Sequence, residues 1–454
     1  MTQEVEDFTT KFDPKDIDIL DKIAVSYNKK IVGESDLIKF LVCCYISKDL
    51  PRDYRLHTII ASQSSAGKSS IVRTVAEPFS KYMVDYTNFT SAFLKRQQGS
   101  MDGKILLLEQ LEKTNDRNEA SLFDLKFLMS EGKLKVGVVE KDDKGKNTPV
   151  TLEVTGIPVF ISTSTNMRID PESLNRTFLN QIDESVEQTQ RITERQLEKF
   201  TTLGINDEWV EEKLHLTELF EKYRKLSWQI KDVVLPFAAK LNGKVPCENL
   251  TIRRDLPKIL SLTAVLAFIH ASRRRRIQYP EGKHFIVGSF AETEERNQYT
   301  IIAEPEDFKE ALKIAGTTIK QTLNKVNQVS MDLYAKIIEL YDNKLYNNPT
   351  LDENGKVPGV TIRDVSEKIG KSPNRTRELM APLEQAGYLT RDMTQKVHRF
   401  IPTGKKFTEI NIYDLSFTEA EFEEWYNREI AKRGHSLTVI EPPCNQEVIK
   451  DDTK

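Results

Sequence analysis

Leu56-His57-Thr58-Ile59-Ile60-Ala61-Ser62-Gln63-Ser64-Ser65-Ala66-Gly67-Lys68-Ser69-Ser70 is the stretch that decides the fold. A mostly apolar run, Leu56–Ala61, passes into small polar residues that close on Gly67-Lys68-Ser69, and Ile71-Val72 follow. Strand, loop and helix in that order fit the phosphate-binding pattern G-x-x-x-x-G-K-[ST], with Ser62 in place of its first glycine. The backbone N–H groups of Ser64, Ser65, Ala66, Gly67, Lys68, Ser69 and Ser70 are expected to cradle phosphate oxygens at a helix N-terminus. Lys68 is expected to reach the β- and γ-phosphates, and the Ser69 hydroxyl to hold Mg²⁺. Ser62 is tolerable there if its backbone keeps a negative φ.

Outward from this loop, strands and helices alternate. Thr58–Ala61 reads as a strand, Ser69–Glu77 as a helix, Lys104–Glu109 as a strand, Ser121–Met129 as a helix and Ile157–Thr163 as a buried strand. Such alternation predicts an α/β fold with a mostly parallel sheet covered on both faces. Within it, Lys133–Val139 and Pro149–Thr155 alternate with period two around a charged, glycine-containing tip, 142–147, and predict a hairpin. Residues 1–50 read as helical, with Ile17, Leu20, Ile23 and Ala24 on one face and a second apolar stretch at Ile38–Ile46. From 207 to about 327 the pattern turns helical, and after about 329 a smaller unit begins. The divisions expected are therefore 1–50, 51–206, 207–328, 329–405 and a C-terminal extension, 406–454, loose after Ser436.

Composition excludes several classes. The chain of 454 residues carries 39% apolar and 30% charged residues and a net charge of −3, so a nucleic-acid site has to be a local patch. No apolar run approaches a membrane span, and the first residues lack a basic-then-apolar signal. The four cysteines show neither zinc spacing nor a disulfide framework, and the expected location is the cytoplasm. Cys43-Cys44 in an apolar helix reads as packing.

A nucleotide site needs more than its loop. Lys104-Ile105-Leu106-Leu107-Leu108-Glu109 has the form of a Walker B strand, with Glu109 ending the apolar run where a carboxylate positions the metal. Ile161-Ser162-Thr163-Ser164-Thr165-Asn166 ends the next strand in a polar cluster suited to a γ-phosphate or a water, with Asn166 at its tip. Leu174-Asn175-Arg176-Thr177-Phe178 then offers an arginine able to reach a neighbouring subunit's nucleotide.

Together these segments resemble the AAA+ ATPases, and within them the minichromosome-maintenance (MCM)-like helicases, from about Ile31 to Asn327. Ile31-Val32-Gly33-Glu34 looks like the family's motif ahead of the P-loop. Glu109-Gln110-Leu111-Glu112-Lys113 is similar to its D-E-F-D-K, and Leu174–Glu184 to its L-S-R-F-D segment, which makes Arg176 the arginine finger. Asn249-Leu250-Thr251-Ile252-Arg253-Arg254 resembles its T-V-R motif in a helical lid, which makes Arg253 the sensor-2 arginine. The hairpin sits where such helicases carry a pre-sensor hairpin, which puts Lys144 and Lys146 on DNA phosphates. The match also looks close to the modules joined to primases in replication proteins of plasmids, phages and viruses. Two departures stand out. Glu109 replaces an aspartate, and Gln110 occupies the place of the catalytic glutamate. A glutamine orients water but accepts no proton, so either Glu109 or Glu112 takes that role or hydrolysis is slow.

The C-terminal unit reads as helix, turn, helix and ribbon: 360–370, then a helix opening at Ser372-Pro373-Asn374-Arg375-Thr376-Arg377, then Tyr388–Ile401. It resembles a winged helix-turn-helix, whose second helix enters the major groove. Asn374, Arg375 and Arg377 would be its base-facing residues, with Lys396 and Arg399 on the wing. The run Arg273-Arg274-Arg275-Arg276 suits DNA phosphates, a subunit neighbour or the negative end of the preceding helix, and the three stay open.

The resemblance implies an ATP- and Mg²⁺-dependent DNA helicase or translocase in DNA replication. It would be a homo-oligomeric ring, a hexamer, acting on single-stranded or forked DNA beside a primase or other replication protein. The alternative is a non-motor initiator, loader or regulator that uses ATP as an assembly switch; Gln110 favours the second and the hairpin the first.

Overall fold

A computed structural model of the chain describes residues 11–86, 94–95, 100–109, 116–141, 147–165, 171–202, 207–245, 247, 252–278, 298–347, 359–393, 397–408, 415–433 and 437–442. Two helices come first, α1 (Ile19–Tyr27) and α2 (Ser35–Ser47). In α2 every residue from Phe40 to Ser47 is buried, Cys43 and Cys44 included, and burial pushes both thiols up. Leu20, Ile23 and Ala24 of α1 are buried as expected, but Ile17 is 73% exposed. It precedes the first turn of the helix, so the helical period does not carry it inward.

The central sheet follows. β1 (Thr58–Ala61) leads through the loop into α3 (Lys68–Ala76), and then come β2 (Met83–Tyr86), β3 (Ile105–Leu108) and α4 (Asp116–Glu131). β4 (Lys133–Lys141) and β5 (Asn147–Thr155) form an antiparallel hairpin pairing Lys133 with Thr155 through to Lys141 with Asn147. After β6 (Val159–Ser164), α5 (Pro171–Arg176) and β7 (Phe178–Asn180), the five strands other than the hairpin lie parallel in the order β2-β3-β6-β1-β7. Strands covered on both faces need apolar residues at both parities. Ile60, Ile105, Leu107, Val159 and Ile161 enter one core with α1 and α2. Ile59, Ala61, Leu106, Leu108 and Phe160 enter a second, with Leu125 and Leu128 of α4.

α6 (Val186–Thr201), α7 (Asp207–Ser227), α8 (Ile252–Ile269), α9 (Pro305–Ile314) and α10 (Gly316–Asn324) follow. The region from 207 to 327 is not helical throughout. β8 (Ile230–Val234), β9 (Arg276–Gln278) and β10 (Tyr299–Ile302) form a sheet completed by residues far along the chain. There, α14 (Glu419–Arg433) is followed by β13 (Thr438–Ile440), which pairs with β9, so the segment just after Ser436 is tied down rather than loose. The arginine run joins these parts. Arg274 grips the buried Asp307 at 2.7 and 2.8 Å, Arg275 pairs with Glu419 at 2.5 Å and Glu441 at 3.1 Å, and Arg276 donates to the Ala271 carbonyl. Three of the four arginines are therefore internal ties.

The C-terminal unit has a core of its own around Met331, Tyr334, Val365, Leu379, Leu383 and Tyr388. It comprises α11 (Gln328–Asn347), α12 (Ile362–Ile369), α13 (Pro373–Gln385) and the antiparallel pair β11 (Leu389–Asp392) and β12 (Arg399–Pro402), with Val360 bridging to Phe400. Local chemistry sets its turn. Thr361 and Asp364 form a reciprocal capping box at the start of α12, Gly370 ends it at φ +64°, and Ser372 caps α13. A buried polar relay attaches this unit to the central sheet. Thr318 and Thr322 of α10 bond Asn180 and the Leu179 N–H of β7, and Asn324 at the end of α10 accepts from the Tyr388 hydroxyl at 2.7 Å.

Candidate functional site

The strand order gathers three chain segments at one sheet edge. β6 lies between β1 and β3, so Ser62 just after β1, Ser164 at the end of β6 and Glu109 just after β3 mark the carboxyl ends of three adjacent strands. Ligands of open parallel sheets bind beyond those ends. The loop itself is shaped by two left-handed residues, Ser65 at φ +67° and Gly67 at φ +88°. Open space surrounds the position a Gly67 Cβ would take, so glycine is required there for its φ, and the space remains for a ligand. Ser62 is not among the residues of positive φ, which meets the condition its substitution for glycine imposed. Its N–H donates to the Ser164 carbonyl at 3.2 Å and its hydroxyl accepts the Ile182 N–H at 3.0 Å. A glycine would lack that second tie.

Lys68 is buried, and its ammonium donates to the carbonyls of Ser62 at 2.7 Å and Gln63 at 2.5 Å. The lysine thus curls back across its own loop, the position from which a phosphate oxygen can take over its hydrogen bonds. Ser69 and Ser70 lie in the first turn of α3, and Ser64, Ser65 and Ala66 in the turn before it. Successive N–H groups at a helix start, an ammonium and a hydroxyl are the donor set that a Mg²⁺-bound polyphosphate takes, and the residues present fit that group. Among the described residues no cluster of three or more His, Cys, Asp or Glu side chains stands in metal-binding array.

Glu109 is one residue beyond β3 and mostly buried, with one carboxylate oxygen 2.9 Å from Arg73 Nε. The same guanidinium grips Asp85 of β2 at 2.5 and 3.3 Å, and the two carboxylates raise its pKa. Arg73, on the helix that follows the Gly67 loop, therefore holds the Glu109 carboxylate from the side. Sequence reading missed it, although a basic residue five positions after Lys68, on the helix that the loop opens, was its available signal. Gln110, Glu112, Asn166, Lys144, Lys146 and Lys396 lie outside the described residues.

Arg176 ends α5 with its Nε 2.8 Å from Ser130 Oγ and its Nη1 3.1 Å from the Glu172 carboxylate. Arg253 is exposed in the first turn of α8. The two segments are tied together by Lys258 of α8, which donates to the carbonyls of Leu174 and Thr177 at 3.3 and 3.0 Å and pairs with the buried Asp255 at 2.7 Å. Burial, with Lys325 beside it, pulls the Lys258 pKa down to about 8.

On the other side of the loop, Gln188 donates to the Val32 carbonyl at 2.6 Å and presses on Gly33. A Cβ at Gly33 would come within 2.8 Å of its amide, and φ there is +68°. Glu34 accepts the Asp183 N–H at 2.8 Å, and the neighbouring Glu184 holds Gln63 of the P-loop by two hydrogen bonds of 2.7 Å. In the C-terminal unit, Asn374 and Arg377 are exposed and bonded to each other at 3.0 Å, and Arg399 is half-buried on β12. Arg375 is turned the other way: it lies 3.7 Å from Glu184, with 17% of its side chain exposed.

No helix among the described residues is long and apolar enough to cross a membrane. No protein-family profile matches the chain, and no curated protein matches it. Among solved structures, a full-length MCM homolog from Methanopyrus kandleri aligns with 68% of this chain at 13% identity and a TM-score of 0.42. The chain spans 60% of that homolog's length. The C-terminal region of NrS-1 aligns in two structures, over 85% of this chain at 12% identity and TM-score 0.26, and over 56% at 14% and 0.23.

Proposed function

We propose that this chain is an AAA+ ATPase of the MCM-like type, an ATP-dependent DNA helicase or translocase acting in DNA replication. The observation that carries the reading is the edge where β1, β6 and β3 end side by side, with Lys68 inside the loop on β1 and Glu109 beyond β3. That arrangement supports binding of ATP with Mg²⁺, whose hydrolysis supplies the free energy for movement. Lys68 and the loop N–H groups hold the phosphates, Ser69 and Glu109 orient the metal side, and Arg176 and Arg253 stabilise charge spreading over the transferred phosphoryl. The β4–β5 hairpin reaches DNA in the channel of a ring, a hexamer, through Lys144 and Lys146. We read the C-terminal unit as a winged helix that meets duplex DNA through Asn374 and Arg377, with Arg399 and Lys396 on its wing.

The non-motor reading keeps one specific support beyond Gln110: Arg73 already occupies one oxygen of Glu109. ATP turnover with and without single-stranded DNA, and unwinding of a forked duplex, separate the two. DNA-stimulated turnover and unwinding are expected, both abolished by Lys68→Ala. ATP and DNA binding without turnover or unwinding would instead establish the switch.

A further inference from the structure

Arg375 is the residue whose position the DNA reading does not absorb. It lies in the first turn of α13, where a groove-reading side chain would face solvent, yet its side chain is 17% exposed and faces the P-loop. Its Nη1 bonds Glu378 on its own helix at 3.0 Å, while Nε and Nη2 are buried without a hydrogen-bond partner. Nη2 stands 3.7 Å from Glu184 Oε2, a charge contact rather than a hydrogen bond. Glu184 in turn accepts the Gln63 N–H and the Gln63 side-chain amide, both at 2.7 Å, and Gln63 also gives its carbonyl to Lys68. A continuous chain of contacts thus runs from the C-terminal unit through one carboxylate into the phosphate loop.

The charge balance gives this chain a direction. A carboxylate clamped to the P-loop fixes its shape but opposes an incoming polyphosphate. A guanidinium beside that carboxylate offsets the repulsion and leaves the clamp in place. The Tyr388–Asn324 and Thr322–Leu179 hydrogen bonds hold the C-terminal unit where Arg375 can do this.

We propose that Arg375 is a positioning residue for the nucleotide, acting through Glu184 on Gln63, so that nucleotide affinity depends on docking of the C-terminal unit against the P-loop. By linkage, bound nucleotide favours the docked unit to the same extent. The inference rests on the P-loop's being a nucleotide site.

The test uses the full chain, titrated with MgADP by calorimetry and with a duplex DNA by fluorescence anisotropy. The variants are Arg375→Ala, Arg375→Lys, Glu184→Gln, the double variant Glu184→Gln/Arg375→Ala, and Lys68→Ala, each checked by circular dichroism. Arg375→Ala is expected to weaken MgADP binding about fivefold or more, with duplex affinity unchanged within about twofold. Arg375→Lys should recover most of the loss. The double variant should bind MgADP as well as Glu184→Gln alone, because no uncompensated carboxylate remains; a packing role for Arg375 predicts no such rescue. Unchanged MgADP affinity in Arg375→Ala overturns the proposal. So does a double variant as weak as Arg375→Ala, which would mean direct phosphate contact, and so does loss of duplex affinity alone, which would make Arg375 a DNA contact. Wild type that binds no MgADP, like Lys68→Ala, overturns the nucleotide reading itself and this inference with it.

Discussion

His57 stands one residue before β1, buried, with its Nδ1 accepting the Phe160 N–H at 3.1 Å. Burial, with Arg55 and Lys258 nearby, pulls its pKa down to about 3 from the usual 6.5. Between those values the unfolded chain binds a proton that the folded chain refuses, so stability rises with pH. The contribution is complete above about pH 6.5 and is lost progressively as pH falls toward 3. From pH 6.5 to 5, urea unfolding should show up to about 2 kcal/mol of loss traceable to this group, at about 1.4 kcal/mol per pH unit. His57→Asn, which keeps an acceptor for Phe160, should flatten that slope; an unchanged slope would rule out His57 as its source. Ser62 shows the residue scale from another side. Its departure from the glycine pattern is compatible with its backbone angle, and its hydroxyl adds the bond to Ile182 that glycine cannot make.

Among the elements, the hairpin depends most visibly on one backbone position. Gly156 follows β5 at φ +90°, and a Cβ there would stand 2.4 Å from the Asp102 N–H nitrogen and 2.8 Å from that of Met101. Thr155 accepts the Met101 N–H at 2.7 Å, so the base of the hairpin closes directly on the segment leading into β3. Gly156→Ala combines left-handed strain with a backbone clash and should cost about 2–3 kcal/mol in chemical denaturation. On the proposed reading it should also reduce DNA-stimulated turnover more than basal turnover, because the hairpin then loses its seating. Equal loss of both would separate hairpin geometry from DNA coupling. Much of this scale was legible in advance. β1 has the bounds expected, and α3, β3 and β6 lie within two residues of theirs, since strand and helix periods are local properties. The sheet inside 207–327 was not, because β8, β9 and β10 are short and take their partners from distant segments.

At the scale of the whole molecule, Arg176 poses the question of assembly. Within one chain it is spent on Ser130 and Glu172, and Lys258 locks the end of α5 against α8. If it serves a neighbour's nucleotide, Arg176→Ala should retain ATP binding and lose turnover about 10³-fold or more. Mixing it with Lys68→Ala should then restore activity, since some interfaces would pair an intact loop with an intact arginine. No recovery in the mixture would place Arg176 in a purely internal role. The arginines at 274–276 show the same scale resolving an ambiguity. Charge alone suited DNA, a neighbour or a helix end, whereas Asp307, Glu419, Glu441 and the Ala271 carbonyl claim three of the four inside the chain.

The sequence by itself determined the strand, loop and helix around Gly67, the parity of the buried strands, the hairpin and the caps of α12 and α13. Each rests on near neighbours: a backbone angle, a two-residue or 3.6-residue period, a side chain reaching three residues along. Only the tertiary structure decided that Arg73 grips Glu109, that Glu184 clamps Gln63, that Arg375 faces the P-loop, and that residues near 440 complete a sheet begun near 276. Those pairings join residues from tens to almost two hundred positions apart, and charge and hydrogen-bonding capacity in a sequence specify no partner until packing brings one within reach.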